Sequence, residues 1–293
     1  MNTPFSYRHL YYFWVVAKEG GMAKAADRLD MAVQTVSTQV RELEKSLGYE
    51  LLKPAGRGVA LTDAGIAAMH QAELIFQLGE KLPDLVRDAM GSPSVRLAVG
   101  ISEGLAKLAV RQLMQPVMHT PNLRLICQED EFEDLLGELA LHRLDVVLAD
   151  RPAPVNPNLK VYSHSLGSSD LSWYVPPQWQ AAAQKGFPQS LAKVPVLLPT
   201  SSAAVRPRID HWFECLGIKP NIVGEFEDSA LLKTFGAAGM GVFPAADLIH
   251  DELIERYDVK RLGACDGVAE HFYAIGAQKK VLHPLVQKLL PKA

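Results

Sequence analysis

Five polar side chains, Gln34, Thr35, Ser37, Thr38 and Arg41, fall within eight consecutive positions, and their types suit one kind of chemistry. A Gln amide can make two hydrogen bonds to an adenine edge, Ser and Thr hydroxyls serve several bases, and an Arg pairs with guanine or with a phosphate. The same segment holds Val36, Val40, Leu43 and Leu47 at helical spacing, which leaves the polar set on or near the opposite side. A helix over residues 33 to 47 is predicted, with one face to bury and one to present.

Neighbouring elements would position that helix. In RHLYYFWVVAKEG, Leu10, Phe13, Trp14 and Ala17 make one helical face; in MAKAADRL, Ala25, Ala26 and Leu29 make another, and Asp30-Met31-Ala32 is a tight turn. Small residues let the second and third helices cross closely, so that the start of the third projects into a major groove, as in a helix-turn-helix. LLKPAGRGVALT then reads as a strand, a Gly-rich turn carrying Lys53 and Arg57, and a return strand. This wing offers cations to the adjacent phosphate backbone. The helices alone leave open a small bundle whose polar face is merely solvated; the wing weighs against it.

Residues Tyr7 to Gly65 resemble the winged helix-turn-helix of LysR-type transcriptional regulators, through Ala25-Ala26, VSTQVRELEKSLG from Val36 and LTDAG from Leu61. HLYYFW, VAKEG, GRG, HRLDVVLAD and GEFEDSALLKTFGA from Gly224 resemble the NhaR subgroup, which regulates sodium/proton antiporter genes. The resemblance implies an α/β protein with an N-terminal winged domain over 1–62, a linker helix over 63–91 that pairs antiparallel with a second copy, and a two-lobed regulatory domain over 92–293, akin to periplasmic solute-binding proteins. Lobe I would take about 92–162 and 266–293, and lobe II about 163–265. The implied partners are promoter DNA, a homodimer or homotetramer, RNA polymerase, and a small effector or sodium ion, with no cofactor. Four positions depart from the family pattern. Ala32 and Val33 stand where Ser or Thr and Gln are usual, Gly21 where a capping hydroxyl is common, and Pro54 where the wing is often basic. A missing cap side chain costs on the order of 1 kcal/mol and moves base reading onto Gln34, Thr35 and Thr38.

The chain has 293 residues and a formal net charge of −3. Residues 1–62 hold eight Lys and Arg against six Asp and Glu, a net of +2, and the remainder 22 against 27, a net of −5. The asymmetry has the sign expected of a DNA-binding unit whose affinity is built by oligomerisation. No apolar run is long enough to span a membrane and the polar, aromatic start is unlike a signal peptide, so cytoplasm is expected. Cys127, Cys215 and Cys265 show no metal-ligand spacing and read as free thiols, with a redox pair as the minority alternative.

From Thr62, a credible cap, one long helix is predicted. Ile66, Met69, Phe76, Leu82 and Leu85 give it an apolar seam, Pro83 should kink or interrupt it, and Gly91-Ser92-Pro93 marks a boundary. Beyond, strand and helix alternate, which argues for a parallel sheet: strands at 95–101, LRLICQ, DVVLAD, LSWYV, VPVLLP, NIVGEF, GVFP and VAEHFYAIGA, with helices at 103–119, 131–144, 205–216, from 228 and from 283. In such sheets ligands sit beyond the carboxyl ends of strands. That rule picks Ser102, Asp150, Thr200, Ser201, Ser202 and Asp228 as effector-binding candidates, flanked by Ile101, Glu103 and Glu227. Ser102, Thr200, Ser201 and Asp228 are equally placed to be ordinary helix caps. The acidic run QEDEFED, with Glu129, Asp130 and Glu131, offers oxygens to a hard cation, but acidic residues at a helix start are expected from its dipole alone, and no metal site is assigned. No catalytic residue is assigned either: there is no P-loop or HExxH, and GAAGMGVFP follows a helix, unlike a dinucleotide fingerprint. A cytosolic solute-binding or enzyme-like domain is the alternative without DNA, and a constitutive repressor the alternative without an effector.

Overall fold

The computed structural model describes residues 5–56, 58–89, 94–155, 159–277 and 283–291. Three helices, α1 (Tyr7–Glu19), α2 (Met22–Leu29) and α3 (Val33–Leu47), enclose Phe13, Trp14, Ala25, Ala26, Val36, Val40 and Leu43, all essentially inaccessible. Ser6 accepts the His9 amide to cap α1, and Asp30, in the left-handed region at φ 50°, ends α2. No side chain caps α3; its first amides use the Ala32 carbonyl, with Thr35 N at 2.9 Å. The wing is an antiparallel pair, β1 (Leu52–Ala55) and β2 (Gly58–Leu61), held to α3 by Glu44, whose carboxylate accepts the Leu51 and Leu52 amides at 2.7 and 3.1 Å.

The linker helix α4 (Asp63–Ala89) starts at Thr62, whose hydroxyl accepts from the Gly65 amide at 3.0 Å. A Cβ at Gly65 would collide with the Leu51 carbonyl, so this close entry requires glycine. Of the two effects expected of Pro83, a kink or an interruption, interruption does not occur: α4 is helical from Asp63 to Ala89. The proline ring is exposed, where water can serve the carbonyl left without its donor. The expected seam also divides. Met69 and Phe76 pack on the winged core, while Ile66, Leu74, Leu78, Leu82 and Val86 are exposed. The Leu85 side chain and the Gly91-Ser92-Pro93 boundary lie outside the described residues.

The regulatory half runs β3 (Val95–Ser102), α5 (Lys107–Met118), β4 (Leu123–Asp130), α6 (Phe132–Ala140), β5 (Val146–Ala149), β6 (Tyr162–Val175), α7 (Pro177–Gln184), β7 (Pro195–Pro199), α8 (Arg206–Leu216), β8 (Asn221–Phe226), α9 (Ser229–Ala237), β9 (Phe243–Ala246), α10 (His250–Tyr257), β10 (Lys260–Gly276) and α11 (Pro284–Leu289). The main sheet has the order β4-β3-β5-β10-β6-β9, beside a β7-β8 pair. The β7-β8 pair is parallel, and within the main sheet β3 pairs parallel with β4 and β5; β10 runs antiparallel to β5 and β6, and β6 to β9. The departure from an all-parallel sheet follows from the length of β6 and β10, 14 and 17 residues, which pass through both lobes and pair with each other. The expected lobe boundaries at 163 and 266 fall inside these strands. Residues 103–106, expected in a helix, instead form a turn after β3, with the Leu105 amide on the Ser102 carbonyl at 2.9 Å. The helix expected over 131–144 ends at Ala140.

One apolar core joins the lobes: Leu97, Val99, Val146 and Leu148 pack in a single cluster with Tyr174, Leu197, Phe243, Ile249 and Leu253. The glycines of GAAGMGVFP serve this packing. Cβ atoms at Gly236, Gly239 and Gly241 would collide with Phe243, Gln178 and Pro195 respectively, and Gly239 has φ +99°.

Candidate DNA-reading face and inter-lobe crevice

The amphipathic pattern of α3 buries Val36, Val40 and Leu43 against α1 and α2 and turns Gln34, Thr35, Thr38 and Arg41 fully outward, with Ser37 half-buried. Thr38 is partly engaged, its hydroxyl donating to the Gln34 carbonyl at 2.8 Å, which leaves its oxygen as an acceptor. Lys53 is exposed in β1, opposite Ala60, rather than in the turn, and Arg57 lies outside the described residues. No carboxylate is paired with Arg41 or Lys53 among the described residues, so both cations stand open to an anion.

Behind α3, a charged cluster fixes α1 to α4. Glu73 accepts from Trp14 Nε1 at 2.8 Å and Lys18 Nζ at 3.0 Å, and meets His142 Nε2 at 2.6 Å. Burial opposes the Glu73 charge, but the His142 bond, the Lys18 charge and the Trp14 and Lys18 bonds outweigh it and hold its pKa at about 2. On Lys18 the balance tips the other way: desolvation pulls its pKa below the ordinary value despite Glu73. The 3.0 Å geometry supports an ion pair with the carboxylate as its firmly charged member.

The crevice between the lobes opens where β3, β5 and β7 end. Ser102, Asp150 and Ser202 line it with Glu103, Gly104, Phe132, Glu133 and Glu227. Ser102 is 2% exposed and its hydroxyl has no partner among the described residues. Deeper in, Arg208, Ser229, Lys233, Glu270 and His271 join Asp150 among apolar walls that include Leu171, Ile209 and Leu232. Lys233 is 3% exposed; burial drives its pKa below the ordinary value while Glu270 and Asp228 pull it up. Burial pushes the Glu270 carboxyl up, and the nearby Lys233 pulls it down. The Ser229 hydroxyl is buried without a partner among the described residues, and Arg208 donates to the Ala269 carbonyl. A buried ammonium, a guanidinium and two unengaged hydroxyls can together hold a small polar molecule with an apolar body.

The remaining sequence candidates are placed differently. Thr200 and Ser202 share a hydroxyl bond at 2.8 Å, and Ser201 is exposed; Thr200 and Ser201 do not line the crevice. Asp228 caps α9 through the Ala230 and Leu231 amides at 2.5 and 2.9 Å, and Lys107 pairs with it at 3.3 Å and with Glu129. Burial would raise the Asp228 pKa, but the amides and Lys107 hold it below its ordinary value. The strand-end rule missed Lys233, Arg208 and Glu270, which come from the interiors of α9, α8 and β10. A lone lysine in the apolar helix SALLKTFGA was the available signal.

A winged reading head on a long helix, behind a two-lobed crevice-bearing domain, defines an effector-type transcriptional regulator. Residues 7–66 match the bacterial regulatory helix-turn-helix protein, lysR family, and residues 90–291 match the LysR substrate binding domain. The chain therefore belongs to the LysR family of transcriptional regulators, which are not enzymes. It is 31% identical to the transcriptional activator protein NhaR of Escherichia coli (strain K12) over 290 residues, 98% of this chain and 94% of that one. It is 28% identical to the nitrogen assimilation regulatory protein nac of the same organism, over 81% of this chain and 77% of that one. CbnR, a LysR family regulator of known structure, shares the fold at a TM-score of 0.53 and 22% identity, over 97% of this chain and 98% of that one. CbnR has also been solved with its target DNA, and that structure matches at a TM-score of 0.53 and 23% identity over 97% and 98%. Among the described residues no helix is long and apolar enough to cross a membrane.

Proposed function

We propose that this regulator controls a sodium/proton antiporter gene in response to sodium, from the cytoplasm. The supporting observation is the 31% identity with NhaR across 98% of the chain. In this reading Gln34, Thr35, Ser37, Thr38 and Arg41 meet base edges and phosphates, and Lys53 and Arg57 meet the flanking backbone. Paired α4 helices set two winged heads on two half-sites, and regulatory domains join the pairs into a homotetramer. An effector that binds one arrangement of the lobes more tightly shifts the population toward it, altering the DNA bend that RNA polymerase meets. Ser102, Asp150 and Ser202, with Arg208, Ser229, Lys233 and Glu270, hold that effector; Thr200, Ser201 and Asp228 shape the rim.

Sodium in this reading acts through the ionic setting of the lobes and the DNA contacts, because the Lys107 ammonium already stands between the carboxylates of Glu129 and Asp228. A small organic anion is a second reading, favoured by the buried Lys233, which lines the same cavity as Arg208. The test is a fluorescence-anisotropy titration of the full chain against its own upstream DNA, an antiporter-gene promoter and a scrambled duplex, exchanging sodium for potassium at fixed ionic strength. Preferential binding that shifts on the exchange is expected. Preference without a shift removes sodium and leaves the organic anion; no preference for either promoter overturns the target.

A further inference from the structure

Helix α6 touches both functional regions. Its first turn belongs to the crevice: Phe132 and Glu133 line it beside Ser102 and Asp150, and the Arg151 guanidinium stands 5.0 Å from the centre of the Phe132 ring. Its far end is inserted in the winged unit. Leu141, 1% exposed, is a member of the core that holds Phe13, Trp14 and Val40. His142 lies against the Trp14 ring, 6.2 Å between centres at 18°, and bonds Glu73. Arg143 donates to the Tyr11 hydroxyl at 2.7 Å. From the other side Arg28 of α2 reaches Asp134 and Glu138 at 3.3 and 3.0 Å, over Gly137, where any Cβ would collide with the guanidinium.

We infer that α6 is the transmission rod of this regulator: an occupant of the crevice moves its first turn, and Leu141, His142 and Arg143 deliver that movement to α1 and α4. The inference rests on the reading of the crevice as the effector site. A nine-residue helix is about 13 Å long and stiff along its axis. Its buried residues Leu135, Leu136 and Leu139 pack in the cluster that holds Val147 and Ala149 of β5, and close-packed interiors pass displacement on rather than absorb it. At the receiving end α1 shares its core with Val36, Val40 and Leu43, so whatever shifts α1 re-aims α3. Two states are available to the joint. In the docked state His142 holds a left-handed backbone, φ 58°, which a residue with a Cβ adopts only when its contacts compensate. Undocked, it relaxes to ordinary geometry. A rod with a strained plug at one end and a ligand cavity at the other has the discrete alternatives that coupling between sites requires.

The experiment is backbone hydrogen exchange on the full chain, which needs no identified ligand. Ser202→Trp fills the cavity with a tethered occupant, and His142→Ala removes the plug. Each variant is expected to speed exchange about threefold or more at residues 139–143 and across the α1 face at 13–17, and the double variant to add nothing further, because both act along one path. Arg143→Ala, at an exposed position, repeats the second arm should His142→Ala loosen the whole winged unit. Exchange in Ser202→Trp that changes only around the crevice, with 139–143 and α1 as in the parent, overturns the rod. So does an α1 indifferent to both plug variants. The crevice reading fails separately: a Ser202→Trp signal that reaches α1 while candidate effectors leave the parent chain unchanged keeps the rod and removes the effector site.

Discussion

Glu73 shows how a single residue's environment sets a measurable property. Its carboxylate is half-buried yet receives Trp14, Lys18 and His142, and its pKa is held at about 2 against an ordinary 4.5. A carboxyl with a depressed folded-state pKa contributes stability that is complete above its unfolded value and is lost as pH falls toward the folded one. The window here is pH 4.5 down to 2. Glu73→Gln is therefore expected to melt lower than the parent at pH 7, with the gap closing as pH falls through that window. Thermal melts of both chains at pH 7, 4 and 3 check this, and a constant gap would mean that the lost term is packing rather than charge. Neither this cluster nor the buried charges of the crevice was legible in the sequence. Residue types at strand ends picked Ser102, Asp150 and Ser202, which the fold gathers along one crevice. Lys233 and Glu270 sit mid-element, where only the fold reveals that their side chains converge. Thr200 and Asp228 stand off the crevice lining and make local hydrogen bonds, a placement that residue type at a strand end does not reveal.

Elements were more legible than contacts. The stripe of α3, the two alanines of α2, the strands of the wing and the Thr62 cap follow from spacing alone, and the structure has them where the pattern puts them. The linker helix was read less well. Its apolar residues form two stripes, and spacing cannot say which one α1 will cover. Met69 and Phe76 go inward; Leu74, Leu78, Leu82 and Val86, each four residues after the last, remain on an exposed line. If α4 pairs with a second copy, that line is the seam. Burying a Leu contributes roughly 1.5–3 kcal/mol, and each 1.4 kcal/mol is about a tenfold change in Kd. Leu78→Glu with Leu82→Glu should thus weaken self-association by tenfold or more without unfolding the winged core, which neither residue enters. Analytical ultracentrifugation over a dilution series measures it. Unaltered association would place the dimer contact away from this line.

At the scale of the molecule, the continuous core beneath the crevice limits how the lobes can move. Separating them widely would expose Tyr174, Phe243, Ile249 and Leu253 to water, which confines relative motion of the lobes to small rotations about β6 and β10. Helix α5, whose apolar face is part of this core, reinforces the limit with its polar side chains: Lys107 reaches Asp228 of lobe II, and Arg111 and Gln112 both reach Glu252 of α10. Glu252 is 8% exposed and its second carboxylate oxygen has no partner among the described residues, so the two donors of α5 supply the hydrogen bonds this carboxylate has there. Removing one side of a buried charged contact is costly because the stranded charge stays desolvated, whereas replacing both sides with apolar groups is often nearly neutral. Arg111→Met with Gln112→Leu should accordingly destabilise the regulatory domain by roughly 1–3 kcal/mol, the cost of leaving a buried acceptor unsatisfied, and adding Glu252→Met to that background should restore most of the loss. Urea unfolding of the three chains decides between two roles for α5. Restoration means the contact contributes registration of the lobes more than stability, so that the triple variant folds well but responds to effectors weakly. Further loss on adding Glu252→Met means that the carboxylate serves another group, and that lobe registration rests on the core and Lys107 alone.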